Sequence, residues 1–303
     1  MQPGYLKIPL DELRGRAAKA KEKLKDCDLC PNNCRVNRLD GEVGVCRAGA
    51  EAKVASWNLH NGEEPPISGT RGSGTIFFSF CTLKCAYCQN WPISQKGNGE
   101  ETDAAGLAGM MLELKRRGAH NVNFVTPTHY MPQILEALCI AVEAGLDLPI
   151  VYNTSGYEVL PSLRLLDGIV DVYLPDMRYA CDKQAKKYSR AKMYSAYNRA
   201  AVKEMYRQVG NLVTDEDGLA VKGLIVRHLV LPGGISGTEE VMKFLASEVS
   251  KGVYISLMSQ YFPAHKATTI PEISRKVTAD EYQAAVDILE KYGLEEGWVQ
   301  EGY

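Results

Sequence analysis

Cys81, Cys85 and Cys88 fall in a C-x3-C-x2-C spacing, directly after the apolar, β-branched and aromatic run Thr75-Ile76-Phe77-Phe78-Ser79. That order predicts three thiols on a loop at the end of a strand. Thiolate is a soft ligand that suits iron–sulfur clusters, zinc or copper(I). Three thiolates leave a four-coordinate metal one open position, and open positions mark catalytic metals whereas structural sites are closed. A zinc knuckle completed by a distant His60 or His129 is the plainer alternative.

A second group precedes it: Cys27-x2-Cys30-x3-Cys34, then Cys46, beside the turn formers Pro31, Asn32, Asn33, Gly41 and Gly44. Four thiols this close in sequence can close a tetrahedral site, the geometry of structural zinc. Ligation would then replace the hydrophobic core that so short a segment cannot build. Zinc is the first expectation here; an auxiliary iron–sulfur cluster, also held by four Cys, is its rival.

The chain of 303 residues has room for one large catalytic domain plus an appendage, and its 45% hydrophobic content supports a sizeable core. A net charge of -2 gives no global basic field, which argues against nucleic acid as the main partner. The N-terminus shows no apolar leader, and no apolar run approaches the ~18 residues of a membrane span. A cytoplasmic protein without a membrane partner is expected. Seven of the nine Cys lie in the two groups, which points to metal or redox chemistry rather than a disulfide framework.

The elements that must position these thiols can be read from periodicity. A charged helix is expected over 10–25, and a Gly- and Pro-rich linking loop over 60–74. Beyond it, apolar strands at 75–79, 121–125, 149–153, 170–174, 224–231 and 253–258 alternate with helical patterns at 103–118, 131–144, 183–209 (broken once), 238–250 and 279–292. Such alternation predicts an α/β fold with a parallel sheet and helices outside. Asp215-Glu216-Asp217-Gly218 reads as a turn, or a small hairpin, before the fifth strand. The expected division is an N-terminal Cys-rich metal-binding segment over 1–70, a catalytic barrel over 71–270 and a helical tail over 271–303. Polar residues gather at the strand ends, where α/β folds place their chemistry. They are Thr126-Pro127-Thr128-His129, Asn153-Thr154-Ser155-Gly156-Tyr157, Asp176-Met177-Arg178, Arg227 and Ser259-Gln260-Tyr261.

The C-x3-C-x2-C loop, with Tyr87 before its last Cys and Asn90 two after it, resembles the signature of radical S-adenosylmethionine (SAM) enzymes. Six βα units match that superfamily's open, partial (β/α)6 barrel. Over 74–265 the chain is similar to the activating enzymes of glycyl radical enzymes, notably pyruvate formate-lyase activating enzyme. Asn153-Thr154-Ser155-Gly156 resembles their Asp-Thr-Asn-Gly, Asp176-Met177-Arg178 their Asp-x-Lys, and the stretch from Arg227 to Gly233 their Arg-x-Val-x-x-Pro-Gly. Their Gly-Gly-Glu after the second strand is replaced by Thr126-Pro127-Thr128, and Asn153 stands where an Asp helps bind a cation.

The resemblance implies that Cys81, Cys85 and Cys88 ligate a [4Fe-4S] cluster whose fourth iron takes SAM. Reductive cleavage of SAM to a 5'-deoxyadenosyl radical would follow, fed by an electron donor such as flavodoxin or ferredoxin. The substrate would be a protein glycine, another peptide or a small molecule. It implies Asp176 and Arg178 at the reacting centre, and Tyr87, Asn90, Thr126, Thr128, His129, Asn153, Thr154, Ser155, Arg227 and Gln260 around the cofactor. A zinc-bearing scaffold that has lost the radical chemistry is the alternative from another class. Plain packing is expected for Cys139 and for Tyr188, Tyr194, Tyr197 and Tyr206, and an ordinary free thiol for Cys181. His228 should point to a helix if Arg227 faces the barrel, since neighbours on a strand face opposite ways. Metal analysis tests the N-terminal group: its metal should be lost in Cys30→Ser and kept in Cys139→Ser, with the iron-to-zinc ratio naming the metal.

Overall fold

A computed structural model describes residues 2–300. Its ten strands are β1 (Ala52–His60), β2 (Ser73–Phe78), β3 (Glu100–Thr102), β4 (Val122–Val125), β5 (Ile150–Thr154), β6 (Val172–Pro175), β7 (Val213–Thr214), β8 (Ala220–Leu229), β9 (Tyr254–Met258) and β10 (Gly297–Val299). They form one sheet in the order β10-β9-β8-β6-β5-β4-β2-β1-β3, with β7 paired to β8. The pairings from β2 through β10 along this path are parallel, while β1 runs antiparallel to β2 and β3. The sheet does not close. It is the expected partial barrel, with its six apolar strands recovered as β2, β4, β5, β6, β8 and β9. The break in the long helix falls between Asp182–Ser189 and Tyr194–Val209, and the turn at Asp215 joins β7 to β8.

Two expectations need correction. The last part of the chain is not purely helical. After the helix Ala279–Tyr292, β10 adds to β9 in parallel, and Gly297 can lie there because a Cβ would sit 2.2 Å from the Ile255 carbonyl oxygen. Ahead of the barrel, β1 extends the sheet past β2. Nor is the stretch after His60 a mere linker. It turns a short helix, Pro65–Ser68, into the sheet's concave side, where Ile67 is fully buried among Val151, Val172, Leu174, Ala220 and Ile225. Gly- and Pro-rich sequence signalled the turns and hid the plug.

The N-terminal residues join the main core. The helix Leu10–Glu22 buries Leu13, Ala17 and Ala20 and packs on the helix Met131–Glu143. Tyr5, Leu24, Leu29 and Ala48 belong to the same apolar cluster as the barrel helices. Arg38, 1% exposed, donates to the carbonyls of Gly49 (2.6 Å) and His129 (2.7 Å). No helix among the described residues is long and apolar enough to cross a membrane. The plug carries a stability prediction. Ile67→Ala should cost roughly 2–5 kcal/mol, read as a lower denaturant midpoint at unchanged slope.

Candidate active site at the strand ends

The Cys loop leaves β2 through Phe80, which holds a left-handed backbone (φ 69°), and Thr126 does the same (φ 60°) just after neighbouring β4. Non-glycine residues rarely adopt this conformation, and such strain gathers at functional sites. The loop is then fixed by its backbone. Lys84 and Ala86 donate to the carbonyls of Ser189 and Tyr188, and Lys266 donates to that of Ala86. Each sulfur meets a polar hydrogen. Leu83 N–H points to Cys81 Sγ (3.4 Å), Ser94 Oγ lies 3.1 Å from Cys88 Sγ, and Cys85 Sγ accepts from Ser189 Oγ (3.0 Å) and the Arg178 guanidinium (3.1 Å).

These donors suit thiolates. Burial, then the neighbouring thiols, push the free Cys81 thiol up to about 12 and Cys88 upward as well. A metal must therefore displace the protons when it binds. Among the described residues, no three His, Cys, Asp or Glu side chains close on one point tightly enough for a single ion. Three thiolates at the strand ends suit an iron–sulfur cluster, which offers each thiolate its own iron and would leave one iron to an outside ligand.

Beside Cys88 lies a cavity of about 190 Å3, lined by Tyr87, Gln89, Asn90, Asp176, Arg178, Arg227, Leu229, Met258 and Gln260. Its charged wall is a single network. Asp176 Oδ2 accepts from Arg178 (Nε 3.0 Å, Nη2 2.5 Å) and Asp176 Oδ1 from Arg227 Nε (2.8 Å). Arg227 Nη2 also donates to Asn153 Oδ1 (2.7 Å), and its Nη1 lies 3.7 Å from Glu63. Burial opposes ionisation of Asp176, but Arg227 and Arg178 outweigh it and hold the carboxyl below its ordinary range. Gly156 ends the Asn153-Thr154-Ser155-Gly156 turn at φ 68°, where a Cβ would sit 2.2 Å from Asn198 Nδ2 and 2.6 Å from the Asp176 carbonyl oxygen. Only glycine lets that turn press against the Asp176 backbone.

The structure thus brings Tyr87, Asn90, Asp176, Arg178, Arg227 and Gln260 to one cavity, with Asn153 one hydrogen bond behind. Tyr87 is nearly buried, with its hydroxyl accepting from Tyr179 (2.7 Å). Other expected residues do not line the cavity. Thr128 and Thr154 both donate to Glu158 (2.6 and 2.5 Å). Ser155 is buried, with its carbonyl taken by Tyr194. His129 lies under the Cys loop with Nε2 2.9 Å from the Ser79 carbonyl oxygen, and burial drives its pKa down to about 3, so it stays neutral. His228 turns away from Arg227 toward Met177 O and Thr238, as expected. Glu63, Leu229 and Met258 escaped the sequence reading. Glu63 sits in the plug loop with no motif around it, while the other two are apolar strand residues that alternation alone would place inward.

No protein-family model matches the chain. It is 32% identical over 300 residues to an uncharacterized protein of Methanocaldococcus jannaschii, covering 96% of this chain and 81% of that one. Its fold is similar to a radical SAM methyltransferase from Sphaerobacter thermophilus (TM-score 0.52, 14% identity, 75% of this chain and 66% of that one). It is also similar to Streptococcus suis SuiB bound to precursor peptide SuiA (0.51, 13%, 74% and 47%) and to the FeFe-hydrogenase maturase HydG from Carboxydothermus hydrogenoformans (0.51, 11%, 75% and 53%). The chain spans about half to two-thirds of the length of these three structures. The chain belongs to the family of the Methanocaldococcus protein, and its fold is the one these radical SAM enzymes have.

Glu158 gives a pH test of the site's surroundings. Burial raises its carboxyl to about 7, against the opposing hydrogen bonds from Thr128 and Thr154. A raised carboxyl pKa makes the unfolded chain release its proton first, so stability falls as pH rises from about 4.5 to about 7. Glu158→Gln should remove roughly 3 kcal/mol of that fall, seen as a smaller difference between chemical denaturation at the two ends of the window.

Proposed function

We propose that the cavity beside Cys88 binds SAM, and that the chain directs hydrogen abstraction from a glycine of a partner protein. One observation carries the first part: the cavity wall runs without interruption from Cys88 to the paired guanidiniums of Arg178 and Arg227. When bound, a [4Fe-4S] cluster on Cys81, Cys85 and Cys88 together with SAM supplies a 5'-deoxyadenosyl radical; the rest is positioning by the protein.

Arg178 spans from Asp176 to Cys85, so it ties the cavity floor to a cluster ligand. Arg178 and Arg227 offer positive charge to a carboxylate, the group by which an amino acid moiety is best held. Asp176 keeps both guanidiniums in place and stays ionised, so it orients and does not transfer a proton. Leu229 and Met258 give the cavity an apolar side for a nucleoside, and Asn90 and Gln260 give it polar edges. Support for a glycine substrate comes from the activase-like motifs at Asn153–Gly156, Asp176–Arg178 and Arg227–Gly233, all three of which bear on this one network.

Anoxically reconstituted protein given SAM and a strong reductant should form 5'-deoxyadenosine, and Cys85→Ser should abolish it. Arg178→Lys loses the fork that joins Asp176 to Cys85, and turnover should drop by roughly 10–100-fold. A glycyl-radical signal in electron paramagnetic resonance (EPR) on a mixed-in partner supports the glycine reading. A radical product on another peptide or small molecule replaces it. No 5'-deoxyadenosine from protein with a full, reducible cluster counts against the enzyme reading altogether.

A further inference from the structure

By its length alone, the segment holding Cys27, Cys30, Cys34 and Cys46 would need a metal to hold it together. The structure supplies a different support. The segment is flanked by core residues Leu24, Leu29 and Ala48, Ser162 Oγ donates to Leu29 O (3.1 Å), and buried Arg38 anchors it to the carbonyls of Gly49 and His129. Yet the four thiols lie within electrostatic reach of one another, with Cys27, Cys30 and Cys46 buried and Cys34 half-buried. Nitrogen donors reach two of the sulfurs: Val45 N–H to Cys34 Sγ (3.3 Å) and Asn32 Nδ2 to Cys30 Sγ (3.7 Å). Hydrogen bonds to ligand sulfur are a means by which proteins set cluster potentials.

The neighbours of these thiols touch the neighbours of the active-site thiols. Asn32 Nδ2 also donates to the carbonyl of Thr82 (2.8 Å), the residue after Cys81. Lys84, half-buried, donates to Cys81 O (3.3 Å) and lies within electrostatic reach of both Cys81 and Cys46. Arg47, next to Cys46, stacks over the Phe80 ring at 5.1 Å, and Phe80 precedes Cys81. A purely structural metal has no need of such links to the Cys loop, whereas a one-electron carrier needs that closeness.

We propose that Cys27, Cys30, Cys34 and Cys46 hold a redox-active iron–sulfur cluster, and that electrons enter the active site through this segment, across the contact of Asn32 with Thr82. The proposal rests on the reading of Cys81, Cys85 and Cys88 as cluster ligands. The balance is one electron at a time. A low-potential one-electron reductant, protein or dithionite, loses an electron to the four-Cys centre; that centre returns to its oxidised form as the active-site centre is reduced. No atom moves.

Two measurements test it on the full chain. First, a Cys81→Ser, Cys85→Ser, Cys88→Ser variant is loaded anoxically with iron, sulfide and zinc in competition. It should bind about four irons and show an EPR signal on reduction; zinc in place of iron overturns the proposal. Second, the active-site signal is followed by rapid freezing after mixing with a reducing flavodoxin. Asn32→Leu, which keeps every thiol, should slow its appearance by roughly 10–100-fold while the final dithionite-reduced signal is unchanged. An unaltered rate overturns the relay. Cys34→Ser, at the half-buried ligand, gives the same readout, with a thermal melt to show that it is folded. Failure of the radical SAM reading would appear separately, as no 5'-deoxyadenosine from a fully loaded wild type, and would leave the iron bound by the triple variant as measured.

Discussion

The site is built around one buried carboxylate shared by two guanidiniums. Asp176 directly follows β6, Arg178 comes two residues later, and Arg227 comes from β8. A charge this buried is tolerated only when paired and fully hydrogen-bonded, and here each partner carries the restraint further. Arg178 reaches Cys85 and Arg227 reaches Asn153. Removing Asp176 would leave two buried cations facing each other, so the network acts as a unit. Strands β5, β6 and β8 and the Cys loop are thereby held in one register by side chains, beside a backbone bridge between Asp176 and Arg227.

Below this polar layer the barrel is filled by Ile67 and the apolar residues around it, so its lumen is solid at the bottom and polar near the mouth. Glu63 stands at the boundary. Its carboxyl is raised above its ordinary value by burial, against the pull of Arg227. The plug therefore contributes packing through Ile67 and charge through Glu63 from one short loop.

Much of this was legible in the sequence because it rests on local rules. Alternating strands and helices follow from period, and the Cys loop follows from three thiols after an apolar run. That Arg227 and His228 part company follows from strand alternation. What was not legible depends on contacts far apart in the chain. Thr128 and Thr154 look like site hydroxyls at two strand ends, yet Glu158 claims both because its buried carboxyl needs donors. His129 looks like a cofactor-side residue, yet Arg38 and Ser79 place it under the loop. β10 is three residues long and carries a glycine, too little pattern to stand out from the helix before it.

The N-terminal segment has a consequence for the order in which the molecule can be completed. Gly4 N–H binds Asp171, Tyr5 binds the carbonyl of Leu148, and Arg38 binds that of His129. On a ribosome, which releases the chain from its N-terminus, four cysteines emerge early and wait for partners that lie more than ninety residues downstream. During that interval they are open to water and oxidants, with no core to cover them. Covering of these thiols is thus tied to the arrival of the middle of the chain. Thiols made before the residues that cover them are sealed only once those residues arrive.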